Sequence, residues 1–360
     1  MSGRANRGRL RALVCAAALV LCTMGTAVAH AATATGAFKT PRLYVVNSQA
    51  GTLTGVDASS GAVRTRVALS QPRGVGIYPF EVQSSRDGRV VYVLCDGAES
   101  YSAQVWAISL DGTATVLDTK TNSVIGTLDA PNSRAIGFGG RTDDAFIGEF
   151  STNTVAVYDA ATLKQRATVP CEFRVPAAVT VSPNGETAYV VGGTTLTYVD
   201  LATRKATAAV RLSTLGYTTA LVLSADGSTA YVDGGTSVAV VDTATGTVTR
   251  TLTAGTDLNE GMAVSPDGTT LYTAGGGAYP APGDLYEVNT ASGATTASVA
   301  VGTTPDGVVL SADGSQAYVS GSATNTVSVV DTATNTRAST WSFGTGRLGT
   351  PIDGLFYSKD

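Results

Sequence analysis

An all-β fold of seven four-stranded units is predicted by two motifs that each occur seven times along the chain. The first is a residue pair that ends a predicted strand and recurs every 41 to 61 residues, at Val56-Asp57, Leu117-Asp118, Tyr158-Asp159, Val199-Asp200, Val241-Asp242, Val288-Asn289 and Val330-Asp331. The second is an aromatic residue in the preceding strand, at Tyr44, Tyr92, Phe146, Tyr189, Tyr231, Tyr272 and Tyr318. A period near 40 residues with four strands per repeat is the signature of a propeller blade. We therefore predict a seven-bladed β-propeller with four antiparallel strands in each blade.

The clearest copy of the repeat covers residues 305–340 and contains four predicted strands separated by three turns. One turn has the pattern Ser-x-Asp-Gly, and another begins with Asp331 and reads Asp-Thr-Ala-Thr-Asn. In such turns Asp or Ser accepts backbone hydrogen bonds, and Gly adopts the left-handed conformation that closes a hairpin. We therefore interpret the repeated aspartates as turn caps and the strand aromatics as packing between blades, not as ligand-binding groups.

The two ends of the repeat region complement each other. The first copy begins directly at the aromatic strand around Tyr44, without the apolar run and the Ser-x-Asp-Gly turn that precede this strand elsewhere. The last ten residues, 351–360, match that missing piece. We predict that the C-terminal strand completes blade one as its innermost strand, a 3+1 closure that removes exposed sheet edges from the ring.

Residues 1–31 have the pattern of a secretory signal peptide: four arginines, an apolar core and an A-x-A cleavage site at Ala29-His30-Ala31. A retained N-terminal anchor is the alternative. We predict a flexible linker over residues 32–41, the propeller over residues 42–360, and secretion to the extracellular or cell-envelope space after cleavage near Ala31.

Cleavage there would remove four arginines and no acidic residue, which leaves 20 basic and 28 acidic groups and a net charge of −8. Nucleic-acid affinity depends mainly on Lys and Arg neutralising phosphates. The acidic balance therefore argues against a nucleic-acid partner. We predict a monomer with no membrane span in the mature chain.

The cysteines and the single histidine limit the disulfides, the catalytic mechanisms and the metal sites that the mature chain can contain. Of four cysteines, only Cys95 and Cys171 follow the signal region. Because exported proteins form disulfides, a Cys95–Cys171 bridge is a prediction, although the two positions could lie too far apart for disulfide geometry. The one histidine, His30, lies in the signal region. Its loss excludes Ser-His-Asp and Cys-His catalysis and His-ligated zinc or haem sites from the mature chain.

The repeat resembles the YVTN-repeat β-propellers over residues 42–360. The residues that carry the likeness are Leu43-Tyr44-Val45-Val46-Asn47, the run from Asn325 to Thr336, and Ser265-Pro266-Asp267-Gly268. The resemblance implies an exported propeller. Propellers of this kind include surface-layer proteins, exported proteins of unknown role and more distant relatives with lactonase or electron-transfer functions, so the fold alone does not select an activity.

One aligned position is the candidate site. It lies five residues before the Ser of each Ser-x-Asp-Gly turn, and we call its seven residues the mouth positions: Phe80, Arg134, Ala177, Thr219, Glu260, Asp306 and Asp353. We expect them to face the mouth of the central channel, where Glu260, Asp306 and Asp353 would form an acidic arc with Arg134 roughly opposite. Asp257 and Asn259 lie just upstream. Clustered carboxylates suit Ca²⁺ or another divalent cation, or a cationic ligand; the alternative is a solvated rim of residues that shape the start of each strand.

Two insertions are predicted to lie on the same face of the propeller as the mouth positions. One, between Asp96 and Gly112, contains Tyr101 and Trp106; the other, in blade six, contains Tyr279. The first hypothesis is a secreted, non-enzymatic propeller that binds an extracellular protein, glycan or small ligand through the channel mouth and these loops. The second is a cation-dependent, lactonase-like hydrolase or lyase whose metal is held by Glu260, Asp306 and Asp353. A third is an electron-transfer subunit, for which the sequence contains no cofactor motif.

Overall fold

A computed structural model describes residues 41–47, 50–69, 78–85, 88–96, 112–130, 133–139, 144–149, 152–171, 176–253, 258–276, 281–343 and 352–358. For residues 78, 96, 134, 258–260 and 352–358 it describes the backbone but not the side chains. The predicted signal peptide and residues 32–40 of the predicted linker lie outside these ranges, so both assignments stay predictions.

The described residues form 28 β-strands. Blades one and two contain β1 (Arg42–Asn47), β2 (Thr52–Asp57), β3 (Val63–Ala68), β4 (Tyr78–Ser84), β5 (Val90–Asp96), β6 (Thr113–Asp118) and β7 (Ser123–Asp129). Blades three and four contain β8 (Ser133–Gly139), β9 (Asp144–Glu149), β10 (Thr154–Asp159), β11 (Gln165–Pro170), β12 (Pro176–Val181), β13 (Thr187–Gly192), β14 (Thr195–Asp200) and β15 (Lys205–Arg211).

The remaining strands follow the same order. Blades five and six contain β16 (Leu221–Leu223), β17 (Thr229–Asp233), β18 (Val238–Asp242), β19 (Thr247–Leu252), β20 (Leu258–Val264), β21 (Thr270–Gly275), β22 (Asp284–Asn289) and β23 (Thr295–Ala300). Blade seven contains β24 (Pro305–Leu310), β25 (Gln316–Gly321), β26 (Thr326–Asp331) and β27 (Thr336–Ser342), and the last strand is β28 (Ile352–Ser358).

These strands form seven antiparallel four-stranded sheets, which confirms the predicted seven-bladed β-propeller. The innermost strands contact one another in the cyclic order β4, β8, β12, β16, β20, β24, β28 and again β4, so the blades form a ring. In blade one the sheet order is β28-β1-β2-β3, and β28 pairs antiparallel with β1 from Arg42↔Ser358 to Asn47↔Ile352. That β28 is what holds the ring closed stays a prediction, with a test given in the Discussion.

The turn-cap interpretation of the repeated aspartates is confirmed. In each of the seven blades a side-chain oxygen of the residue that ends the third strand accepts a backbone N–H two or three residues later. The Asp159 carboxylate is typical. Its hydrogen bonds from the Thr162 N–H and from Arg166 outweigh the effect of desolvation and lower its pKa to about 2. These aspartates therefore serve the fold.

The strand aromatics pack between blades, as predicted. Among the described residues, seven clusters of buried apolar side chains each combine residues of two neighbouring blades, and each contains one strand aromatic. Some tyrosine hydroxyls also donate hydrogen bonds across the interface between blades. Tyr92 donates to the carbonyl of Ala160 at 3.2 Å, and Tyr318 donates to the carbonyl of Ala58 at 2.9 Å. Each aromatic thus joins its blade to the next one.

Tyr318→Phe is expected to lower the free energy of unfolding by about 1 kcal/mol, because it leaves the buried Ala58 carbonyl without this donor. The ring itself is 1 % exposed and would keep its apolar contacts. Urea unfolding of the two proteins measures the loss. Tyr217→Phe, which removes a hydroxyl from a ring that is 55 % exposed, is the matched control and should change the free energy very little. Equal losses in the two variants would contradict a specific role for the Tyr318 hydroxyl.

The predicted Cys95–Cys171 disulfide is wrong. Cys95 packs in the cluster between blades one and two, whereas Cys171 packs in the cluster between blades three and four. Cys171 is a free thiol, and its burial raises its pKa to about 12. Each sulfur lies in an apolar blade interface, so both residues serve as small core side chains.

The described part of the chain contains no helix that is long and apolar enough to cross a membrane.

Candidate functional site

The mouth positions share a structural feature: they lie where the ladder of the innermost strand is interrupted. Six of the seven fall in a register shift between the first and second strands of their blade, where the regular pairing of the two strands is interrupted. These are Phe80, Arg134, Ala177, Glu260, Asp306 and Asp353. A β-bulge of this kind bends the strand and changes the direction of the extra residue, and bulges are over-represented beside active sites. The seventh, Thr219, lies just before the short strand β16.

The three acidic mouth positions lie on neighbouring inner strands. Glu260 is in β20, Asp306 in β24 and Asp353 in β28, and β24 contacts both of the other two strands. The approach between the first two is close. A Cβ atom added to Gly261 would lie 2.0 Å from the carbonyl oxygen of Asp306. The backbone therefore brings Glu260 and Asp306 to the same level of the ring, through a glycine that follows Glu260 directly.

Of the other predicted site residues, two lie in described inner strands and four lie outside the described residues. Arg134 lies in β8 of blade three, two blades from Asp353, and Asn259 directly precedes Glu260 in β20. Asp257 lies outside the described residues, as do Tyr101, Trp106 and Tyr279 of the two insertions. The side chains that the structure describes include no group of three or more His, Cys, Asp or Glu that could hold a metal. Those of Glu260 and Asp353 are not among them, so the predicted cation site stays a prediction.

A buried serine supports the bulge of blade seven. Ser320 in β25 is 0 % exposed, and its Oγ accepts the N–H of Gly307 at 2.7 Å. Gly307 directly follows Asp306 and lies in the same register shift. Because the serine replaces a missing ladder bond, it fixes the backbone at the position that carries the Asp306 carboxylate.

A buried aspartate takes this role in blade five. Asp233, at the end of β17, is 0 % exposed. Its Oδ1 accepts the N–H of Gly235 at 2.8 Å, and its Oδ2 accepts the hydroxyl of Thr219 at 3.0 Å. Burial raises the pKa of Asp233 above the ordinary value of 3.8, although these two hydrogen bonds oppose the shift. Asp233 thus ties the mouth position of blade five to the turn between β17 and β18.

Asp233→Asn is expected to stabilise the protein near neutral pH, with an advantage that shrinks as the pH falls. A raised pKa means that the folded state favours the protonated acid, so the wild type loses stability as the pH rises through the folded-state pKa of Asp233. Asparagine is neutral throughout and retains an oxygen for Gly235 and an amide that can donate to the Thr219 oxygen. Urea unfolding of the two proteins from pH 2 to pH 8 measures the difference.

Asp313→Asn is the control, because the pKa of Asp313 is shifted in the opposite direction to that of Asp233. Hydrogen bonds from Ser311 and Ser315 lower the pKa of Asp313 to about 2, so its stabilisation is present above pH 3.8 and is lost as the pH falls toward 2. An Asp233→Asn advantage that stays constant with pH would contradict a buried, titrating carboxyl at this position.

Sequence reasoning missed Asp233 and Ser320 as supports of the mouth positions. A signal was present two residues after each strand aromatic. The residues there are Val46, Leu94, Gly148, Val191, Asp233, Ala274 and Ser320, of which only Asp233 and Ser320 have polar side chains. A polar residue in an otherwise apolar, buried column indicates a specific hydrogen-bond partner.

Comparison with known proteins identifies the fold. No protein-family model and no curated protein sequence matches the chain. Among solved structures, the chain is similar to hydrazine synthase of Kuenenia stuttgartiensis, with 18 % identity and a TM-score of 0.59 over 70 % of this chain and 76 % of that one. It is also similar to a candidate 6-phosphogluconolactonase of Bacteroides fragilis, with 13 % identity and a TM-score of 0.65 over 90 % of this chain and 100 % of that one. At these identities the likeness shows the β-propeller fold alone and does not bear on activity.

Proposed function

We propose that the chain is an exported binding protein of the YVTN-repeat kind, whose ligand surface is the channel mouth. The observation that carries the proposal is the coincidence of the mouth positions with breaks in the inner ladders. A register shift of this kind changes the direction of side chains, and bulges are over-represented beside active sites, so these positions are candidates for ligand contacts. Three neighbouring blades provide a carboxylate residue at this point, Glu260, Asp306 and Asp353.

The chemistry of this arc favours a positively charged ligand. Three carboxylates at one level of a ring create a local negative potential, which attracts a divalent cation or a cationic group on a partner. Arg134, at the same position of blade three, would receive an anionic group of the same ligand. The insertions with Tyr101, Trp106 and Tyr279 would add contact area around the mouth, as binding loops do on a rigid scaffold.

The second candidate is a cation-dependent hydrolase or lyase of lactonase type. It is favoured by the similarity to the candidate 6-phosphogluconolactonase, which extends over 90 % of this chain. In this mechanism Glu260, Asp306 and Asp353 would hold the metal, and the metal would polarise a carbonyl or activate a water. The two candidates share the site and differ in whether a bound molecule is converted.

Thermal unfolding with EDTA and with added Ca²⁺, Mg²⁺ or Mn²⁺ tests the site. A ligand that binds only the folded state raises the unfolding temperature by mass action. We expect a cation to raise it in the wild type but not in Glu260→Gln/Asp306→Asn/Asp353→Asn. The control Asp129→Asn/Glu186→Gln/Asp284→Asn removes the same charge elsewhere and should still respond. An equal response of all three proteins would contradict the site, as would a wild type that responds to none of these cations. Turnover of a lactone by the cation-loaded protein would favour the hydrolase over the binding protein.

A further inference from the structure

An exposed tyrosine is held beside the mouth position of blade five. Tyr217 lies in the connection from β15 to β16 and is 55 % exposed, the only exposed large aromatic among the described residues. The connection is anchored. Leu212 and Leu215 are buried in the cluster between blades four and five, and the N–H of Leu215 donates to the carbonyl of Leu212 at 3.0 Å. The ring is therefore presented to solvent by a fixed loop, at little entropic cost on binding.

One end of the ring rests on a glycine. A Cβ added to Gly235 would lie 2.5 Å from the Tyr217 hydroxyl oxygen and 2.8 Å from the ring carbon that bears it. Gly235 also has a φ of +86°, which other residues rarely adopt. The tyrosine thus packs against backbone at its tip, while more than half of its surface remains exposed.

A polar pair adjoins the same glycine. Asp233 accepts the Gly235 N–H, and it also accepts the Thr219 hydroxyl. Because the Thr219 proton points to Asp233, the remaining lone pairs of the Thr219 oxygen are acceptors for another group. Beside it, the hydroxyl oxygen of Thr218 is buried and has no hydrogen-bond partner among the described residues. The mouth of blade five therefore combines an aromatic ring with the Thr219 hydroxyl oxygen, which can accept further hydrogen bonds.

We propose that Tyr217 and Thr219 form a binding site for a neutral carbohydrate. The inference rests on the proposed binding function of the channel mouth and names a ligand class for blade five. One face of a sugar ring carries C–H groups that pack on an aromatic ring, while its hydroxyls pair with polar side chains such as Thr219. Residues 212–225 contain no charged side chain. The nearby Asp233 is 0 % exposed and its two oxygens already accept hydrogen bonds from Gly235 and Thr219, so no exposed charge at this site selects a charged ligand.

The surroundings of Tyr217 favour a sugar over a protein partner. Ser213, Thr214 and Thr236 are all exposed and polar. A protein hot spot requires a rim of contacts that exclude water from a packed aromatic anchor. A single ring among small polar residues provides the area of one saccharide unit instead, with hydrogen-bonding groups around it.

Saturation-transfer NMR and titration of the full-length protein with neutral tetrasaccharides test the proposal. The probes are β-1,4-linked glucose, β-1,4-linked N-acetylglucosamine and α-1,4-linked glucose. We expect at least one to bind with a Kd of about 1 mM or below, and Tyr217→Ala to weaken its binding by at least about ten-fold. Tyr217→Phe retains the ring, and Gly216→Ala changes the same loop at an open position. Both should bind within about three-fold of wild type.

Binding of none of these sugars to the wild type would overturn the proposal, and so would equal binding to wild type and Tyr217→Ala. The cation measurement separates this failure from failure of the proposed function. A wild type that responds to a cation at the acidic arc but binds no sugar would leave the binding function in place and remove only the carbohydrate site. Unchanged thermal unfolding of Tyr217→Ala would show that its loss of binding is not a loss of fold.

Discussion

Deletion of residues 351–360 is expected to lower the unfolding temperature by more than ~10 °C or to leave the protein insoluble. The deletion removes β28, which pairs with β1 over residues 42–47 and contacts the inner strands β4 and β24. A lost ladder costs about 1 kcal/mol for each hydrogen bond, so several such bonds sum to many kcal/mol. The exposed edge of β1 would also become a template for aggregation.

The control is deletion of residues 359–360 alone, which leaves β28 (Ile352–Ser358) intact and should change the unfolding temperature little. A synthetic peptide of residues 351–360 provides a second test. Added to the truncated protein, it should restore part of the lost stability by adding a strand to β1, as extended peptides do at open sheet edges. A truncated protein that unfolds at the wild-type temperature would show that β28 does not hold the ring closed.

Other contacts between blades seven and one would survive the deletion. The Asn47 side-chain amide donates to Asn325 Oδ1 at 2.9 Å, and the Tyr318 hydroxyl reaches the Ala58 carbonyl. Both involve strands other than β28. We therefore expect the truncated chain to retain part of its ring contacts but not the ladder at the junction, which is why a peptide in trans should find a preformed groove.

The sequence predicts those parts of this fold that depend on local, repeated chemistry. Asp331 and its six equivalents each cap a turn within three residues, so one sequence window contains both donor and acceptor. The strand aromatics repeat at a fixed place in each blade, and their role between blades follows from the period. These features are visible seven times, which makes each copy support the others.

What the sequence does not predict depends on single contacts between distant segments. The Cys95–Cys171 prediction failed because the sequence does not reveal that the two residues pack in different blade interfaces. The support of Thr219 by Asp233 spans 14 residues and occurs in one blade only, so no repetition reveals it. The register shifts at the mouth positions are also absent from the sequence pattern, since alternation within a strand of six or seven residues does not show a bulge.

Gly261→Ala is expected to destabilise the protein by about 3 kcal/mol and to disturb the acidic arc. The added methyl group would lie 2.0 Å from the Asp306 carbonyl oxygen and 2.8 Å from the Val308 nitrogen, both backbone atoms of β24. A side chain could rotate away from such a contact, whereas β24 can move only by disturbing its own pairing with β25. The substitution would therefore separate two inner strands at the level where Glu260 and Asp306 lie.

Gly216→Ala is the matched control, because a Cβ at Gly216 meets nothing within 4 Å and the change in unfolding free energy should be close to zero. Urea unfolding measures both variants, and the cation titration then compares their midpoint shifts. If the acidic arc binds a cation, Gly261→Ala should lose the response while Gly216→Ala keeps it. Full stability of Gly261→Ala would mean that β20 and β24 do not approach as closely as described. If Gly261→Ala loses stability but keeps the cation response, Gly261 is needed for packing and not for the proposed cation site.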